Sequence, residues 1–112
     1  MINIEELKPL IVENLSSLNP NQIILFGSYA YGTPNEDSDI DLYVVTNDDF
    51  IPQSWKEKHS ISQKVSQRLK DICEQYPTDI ITHTKAMHKK FVEMDSMFSR
   101  KILNQGIKLL WK

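Results

Sequence analysis

Residues 23–45 read IILFGSYAYGTPNEDSDIDLYVV, two short apolar runs separated by a segment rich in turn residues. The first run predicts a buried strand that ends at Gly27-Ser28, and a second strand is predicted to begin at Asp39. Because alternate residues of a strand share a face, Asp39 and Asp41 are expected to project together, opposite the apolar side. Two carboxylates on one face repel each other unless a cation lies between them. The pattern therefore predicts a cation site at the start of the second strand.

The same stretch has features suited to binding phosphate. Mg²⁺ prefers oxygen ligands and is commonly held by one or two carboxylates together with water and substrate phosphates. Gly27 lets the backbone approach a phosphate without a Cβ in the way, and Ser28 adds a hydroxyl donor, with the free N–H groups of a short helix expected close by. We therefore expect Gly27 and Ser28 to bind the phosphates of a nucleotide, while Asp39 and Asp41 bind the metal.

The Gly-Ser-x10-Asp-x-Asp spacing of residues 27–42 resembles the signature of the nucleotidyltransferase superfamily related to DNA polymerase beta, and in particular its minimal, single-domain members. This resemblance implies an α+β, layered α/β fold. It also implies a polymerase beta-like core with a small mixed sheet of three to four strands and helices packed on one side.

The resemblance further implies a third carboxylate on a neighbouring strand, as general base or as a further metal ligand. Asp79 is the preferred candidate, because it lies in a β-branched run, TDIIT, that predicts a strand. Asp71 and Glu74 are less favoured, since they fall in a predicted helix where acids usually face solvent. His83 shares the predicted face of Asp79, although a surface role is the simpler interpretation for it.

Each feature also has an ordinary structural explanation. Gly27-Ser28 alone is a common turn, and Asp39 and Asp41 alone could keep an edge strand polar. Their joint occurrence at this spacing favours the site. Tyr29 and Tyr31 stand where many relatives carry arginines, which leaves open what neutralises a triphosphate beyond the metal.

Periodicity along the rest of the chain predicts the remaining elements. Apolar residues recur at helical spacing over residues 3–18, 54–74 and 85–104, the last helix with an interruption. A strand containing Asp79 lies between the last two helices. The apolar tail, residues 107–111, is expected to be either an edge strand or a strip that docks on a partner.

Composition is consistent with one small globular domain over residues 1–112. The chain is 40% hydrophobic, and its net charge of −2 argues against broad nucleic-acid binding through a basic face. No apolar run is long enough to span a membrane, and the N-terminus does not have the pattern of a secretion signal. We therefore expect a cytoplasmic protein whose only cysteine, Cys73, is reduced.

The resemblance implies transfer of a nucleoside monophosphate, with AMP from ATP favoured, to a hydroxyl acceptor. Asp39 and Asp41 would bind two Mg²⁺ ions together with Asp79, which would also deprotonate the acceptor. Gly27 and Ser28 would orient the leaving phosphates. Minimal members of this superfamily are often antitoxins that attach adenylate to a tyrosine of a HEPN-domain toxin ribonuclease, so the resemblance implies a HEPN-type protein partner.

Two other functions are compatible with the sequence. One is a non-catalytic nucleotide-binding antitoxin that neutralises its partner by covering it, although the intact acids argue against this reading. The other is a small-molecule nucleotidyltransferase of the antibiotic-modifying kind, which would need a dimer to complete its acceptor cleft. The sequence does not determine the oligomeric state, and a homo-oligomer is compatible with it.

Overall fold

Four strands form one mixed sheet in the computed structural model, which describes residues 2–112. The strands are β1 (Gln22–Phe26), β2 (Ile40–Val45), β3 (Thr78–His83) and β4 (Ile107–Trp111). Their order across the sheet is β3-β2-β1-β4. β1 is antiparallel to both of its neighbours, whereas β2 and β3 are parallel. The predicted α+β class, with a small mixed sheet, is confirmed.

Within residues 2–112, six α-helices connect and cover these strands. They are α1 (Ile4–Leu15), α2 (Ser28–Tyr31), α3 (Trp55–Arg68), α4 (Lys70–Gln75), α5 (Lys85–Met94) and α6 (Met97–Gln105). The helix predicted over residues 54–74 is divided at Leu69. The one predicted over 85–104 is interrupted as expected, because Asp95 adopts a left-handed conformation with φ of 47° and the Ser96 side chain caps α6.

The helices pack on both faces of the sheet, which differs from the expected arrangement on one side. On one face, Leu25 and Leu42 are buried in a core that includes α1 and α3. On the other face, Tyr43 and Val45 form a second core with Ile102 of α6. The face that carries Asp39 and Asp41 becomes apolar further along β2. Helices must therefore bury this face as well as the opposite one.

The apolar tail forms β4, the edge strand next to β1. Gly106 connects α6 to this strand and lies against β1. A Cβ at Gly106 would lie 2.4 Å from the carbonyl oxygen of Ile102 and 2.5 Å from Cγ2 of Ile24. The close contact between α6 and the sheet therefore depends on the missing side chain. No helix within residues 2–112 combines the length and apolar content needed to cross a membrane.

We expect Gly106→Ala to lower the free energy of unfolding by about 1–3 kcal/mol, because the added methyl forces α6 away from β1. Urea denaturation measures the change. Asn104→Ala, at an exposed position of the same helix, is the control and should stay within about 0.5 kcal/mol of wild type. An unchanged midpoint for Gly106→Ala would contradict the packing described.

Candidate active site

The Gly27 backbone and the Asp41 carboxylate are in close contact. Gly27 follows β1 with φ of 77° and ψ of −164°, a conformation that is almost restricted to glycine. A Cβ at this position would lie 2.0 Å from Oδ2 of Asp41. The antiparallel pairing of β1 with β2 brings the two residues together, because Phe26 is the register partner of Asp41. The carboxylate thus occupies the space that a side chain at position 27 would fill.

Asp39, Asp41 and Asp79 lie at the same end of the sheet. Asp41 lies directly opposite Asp79 in the parallel pairing of β2 with β3, and Asp39 precedes β2 by one residue. A hydrogen bond of 2.9 Å from the Ile40 N–H to the Pro77 carbonyl joins the starts of the two strands. The pKa of Asp41 is raised, first by its partial burial and then by the negative charges of Asp79 and Asp39. The three acids predicted from the sequence are therefore close enough to affect one another.

The donors in this group are carboxylate oxygens, which suit a hard cation such as Mg²⁺. Asp41 is partly buried against Gly27, whereas Asp39 and Asp79 are exposed. Within residues 2–112, no three His, Cys, Asp or Glu side chains already converge as a metal site. The residue types and the accumulated negative charge fit a bound cation, and Asp41 is the acid whose position is fixed by contact with Gly27.

The segment between Gly27 and Asp39 begins with a short helix and ends in a turn. Ser28 is the first residue of α2, next to Gly27. Asn35 organises the turn before the acids: its side-chain oxygen accepts a hydrogen bond of 2.8 Å from the Asp37 N–H, and its own N–H donates to Ser38 Oγ at 2.8 Å. Local hydrogen bonds thus shape the chain that leads into Asp39.

The structure shows where the two tyrosines of this segment lie. Tyr29 is buried in the core formed with α1 and α3, so it is a packing residue. Tyr31 ends α2, and the Lys101 ammonium lies 5.1 Å from the centroid of its ring. The less favoured acids are elsewhere: Asp71 and Glu74 are exposed on α4.

A buried polar network next to the acids could not be seen in the sequence. The Tyr43 hydroxyl lies 3.0 Å from Nδ1 of His83 and 2.7 Å from Nδ1 of His88. The Gln22 amide nitrogen lies 3.3 Å from Nε2 of His88. These residues belong to β1, β2, β3 and α5, and only the fold brings them together. The one available signal was that Tyr43 and His83 occupy the same strand faces as Asp41 and Asp79.

The network requires both histidines to be neutral. If Gln22 donates to Nε2 of His88, then Nδ1 of His88 donates to Tyr43, and the hydroxyl donates to Nδ1 of His83. Burial lowers the pKa of His83 to about 4, with smaller effects from the charges of His88 and Lys58, and burial also lowers the pKa of His88. His83 is therefore a half-buried structural residue hydrogen-bonded to Tyr43.

A family comparison and structural comparisons agree with this fold. The model of the nucleotidyltransferase domain family matches residues 7–105. One similar structure is a toxin–antitoxin complex with AMP-PNP. The aligned chain has 21% sequence identity and a TM-score of 0.55, and the alignment covers 94% of the present chain and 73% of the chain in that complex. A mutant of the toxin–antitoxin pair MntA–HpeT is 18% identical, with a TM-score of 0.52 and coverages of 94% and 73%.

A further similar structure is the tri-AMPylated HEPN toxin of Shewanella oneidensis in complex with its MNT antitoxin. It is 19% identical, with a TM-score of 0.50, and covers 96% of this chain and 72% of that chain. At these identities the similarity shows a shared fold. A comparison with curated proteins gives no significant match.

The fold is that of a nucleotide-transferring class of domain. Because the family model spans most of the sequence, this chain belongs to the nucleotidyltransferase domain family.

The contact between Gly27 and Asp41 can be tested by adding a methyl group. We expect Gly27→Ala to lower the free energy of unfolding by about 1–3 kcal/mol for the backbone conformation alone, with a further loss from the clash with Asp41. Gly32→Ala is a control for a positive φ without a clash, since Gly32 has a φ of 79° in the ordinary left-handed region and no atom would lie within 4 Å of its Cβ. Chemical denaturation gives both values.

A double-mutant cycle separates the clash from the backbone strain. Removing the carboxylate in Asp41→Ala should make Gly27→Ala less costly, while the cost of Gly32→Ala stays the same. Equal costs of Gly27→Ala in both backgrounds would show that the carboxylate does not occupy the space at position 27.

The histidine network predicts a pH dependence of stability. Both histidines have a lowered pKa in the folded state, so unfolding takes up protons below the ordinary histidine value of about 6.5. Their contribution to the free energy of unfolding should be complete above that pH and should be lost as the pH falls towards 4. His83→Gln should flatten this part of the profile, whereas His59→Gln, at an exposed position on α3, should not. Identical profiles for wild type and His83→Gln would contradict the assignment.

Proposed function

We propose that this chain transfers AMP from ATP to a hydroxyl of a protein partner in a Mg²⁺-dependent reaction. The observation that carries the proposal is the position of Asp41, which lies against the Gly27 backbone and directly opposite Asp79. Membership of the nucleotidyltransferase domain family supports the reaction class. We propose the same site residues as the sequence predicted: Asp39, Asp41 and Asp79 for metal and catalysis, with Gly27 and Ser28 for the nucleotide.

The nucleotide would bind at the exit of β1. Gly27 presents a backbone without a side chain, so phosphate oxygens can approach the chain closely, and Ser28 adds a hydroxyl donor beside it. Asp41 lies on the inner side of the same turn. The leaving phosphates would therefore be held next to the ligands of the metal.

Asp39 and Asp41 would hold the metal, with Asp79 as a further ligand. When bound, Mg²⁺ would neutralise charge on the phosphates and on the departing pyrophosphate. Asp79 is exposed, so it can reach an acceptor approaching from solvent and accept the proton of its hydroxyl. The acceptor oxygen then bonds to the α-phosphorus while the bond to the bridging oxygen of pyrophosphate breaks. Pyrophosphate departs with the electron pair, and AMP stays on the acceptor.

The proposed acceptor is a tyrosine of a HEPN-type partner, with this chain acting as the antitoxin. The support is the fold similarity to toxin–antitoxin complexes, one of which contains AMP-PNP and another an AMPylated HEPN toxin. The described residues form one layered domain built around the sheet, so the acceptor surface would be supplied by the partner. On this view residues 1–112 act as a single catalytic domain.

We expect Asp41→Ala to abolish transfer of label from ATP labelled at the α-phosphate into protein, because the variant loses its pre-positioned metal ligand. Asp79→Asn should slow transfer by about 10²–10⁴-fold, as removal of a general base does. The assay uses whole extract from cells that contain the partner, with Mg²⁺. Asp37→Ala is the matched control: Asp37 is an exposed acid of the same segment and should leave transfer unchanged.

The same variants distinguish catalysis from neutralisation by binding. The absence of a ready-made three-residue metal site within residues 2–112 is the observation that keeps a binding antitoxin in consideration. If the Asp39→Ala/Asp41→Ala protein labels nothing yet still protects cells from the partner toxin, binding is sufficient. If protection is lost together with labelling, the transfer reaction is the function. Label that enters only RNA or a small molecule would contradict the protein acceptor.

A further inference from the structure

The part of the chain that carries Gly27, Ser28, Asp39 and Asp41 contains no positive side chain. Residues 9–55 include neither lysine nor arginine. They do include seven acids: Glu13, Glu36, Asp37, Asp39, Asp41, Asp48 and Asp49. A nucleoside triphosphate is strongly anionic and would meet a locally negative surface there. Any cationic side chain that binds its phosphates must therefore come from another element of the fold.

Helix α6 is the element that flanks the Gly27 turn. Its residue Phe98 packs edge-on against Phe26, the residue before Gly27, with ring centroids 6.0 Å apart. One turn further along, the Lys101 ammonium lies over the ring of Tyr31, the last residue of α2. Residues three apart share one side of a helix, so this side of α6 contacts the chain on both sides of the Gly27-Ser28 turn.

The anchoring of α6 makes this placement specific. Ile102, next to Lys101, is fully buried in the core against β1 and β2, and Gly106 brings the end of the helix against the sheet. Lys101 itself is exposed. The helix is thus held by its buried side, while the ammonium group is presented to solvent next to α2.

Lys101 is also better placed than its neighbour on α6. Arg100 pairs with Asp95 at 3.4 Å. Lys101 contacts the Tyr31 ring, and such a contact is weak at an exposed site. A hydrogen bond between charged groups is stronger, so the ammonium can exchange the ring for a phosphate oxygen. Both residues line an open depression of about 440 Å³ on α6, with Met97, Asn104 and Gln105.

We propose that Lys101 binds the phosphates of the nucleotide and supplies the positive charge that residues 9–55 lack, with Tyr31 as the positioning residue that holds the ammonium beside the turn. The inference rests on the proposed function, since it assumes that phosphates bind at Gly27 and Ser28. It makes α6 part of the nucleotide site, in addition to its role in covering the sheet.

Calorimetric titration with AMP-PNP and Mg²⁺ tests the assignment. Lys101→Ala should weaken binding about tenfold or more, while Lys101→Arg keeps the charge and should bind within a few-fold of wild type. Lys108→Ala is the matched control. Lys108 also lies over an aromatic ring, 4.1 Å from the centroid of Trp111, but it belongs to the edge strand β4. Its removal should leave binding unchanged.

Titration with AMP gives a readout that a purely structural role would not produce. If Lys101 contacts the outer phosphates, Lys101→Ala should affect AMP-PNP much more than AMP. An equal loss for both ligands would overturn the proposal, because it would indicate a general disturbance of the site. Tyr31→Leu should weaken AMP-PNP binding less than Lys101→Ala does, since it removes the positioning ring and leaves the charge.

The outcomes distinguish this inference from the proposed function. If wild type binds AMP-PNP and Lys101→Ala binds it as tightly as Lys108→Ala does, the role of Lys101 is wrong and the nucleotide site stands. If wild type does not bind AMP-PNP with Mg²⁺, the proposed function fails, and the role of Lys101 fails with it.

Discussion

The close approach of the Gly27 backbone to the Asp41 carboxylate is a contact that only glycine permits, and the geometry of the site follows from it. The antiparallel register of β1 and β2 brings position 27 to Asp41, and the positive φ of Gly27 turns the chain into α2. The separate, parallel register of β2 with β3 places Asp79 opposite Asp41. Asp41 is therefore the residue that links the Gly27 turn to the third acid.

Charge is distributed unevenly around this contact. Asp39 and Asp41 belong to a stretch, residues 9–55, that has no lysine or arginine, and the raised pKa of Asp41 reflects both its burial and the neighbouring charges. Apart from Lys8, the lysines and arginines follow residue 55, and the Lys101 ammonium of α6 lies next to α2. In the proposed function a metal–nucleotide pair, which carries charges of both signs, would bind between these acids and Lys101.

β2 serves two purposes along one face. At its start this face carries Asp41 beside the polar turn. Two residues later it carries Tyr43, whose hydroxyl is hydrogen-bonded to His83 of β3 and His88 of α5. Burial keeps both histidines neutral, so the network adds hydrogen bonds without adding charge near the acids. The end of β2 that carries Tyr43 is therefore buried, while the end that carries Asp41 is partly exposed to solvent.

The sequence by itself determined the elements whose signals are local. The strand that ends at Gly27, the pair Asp39 and Asp41, and the strand with Asp79 all follow from alternation, turn residues and β-branched runs within a few positions. The two-sided packing, the position of His83 under Tyr43 and the placement of Lys101 over Tyr31 were decided only by the tertiary structure. These features join residues far apart in the chain, and local periodicity carries no information about which strands become neighbours or which helix covers which face.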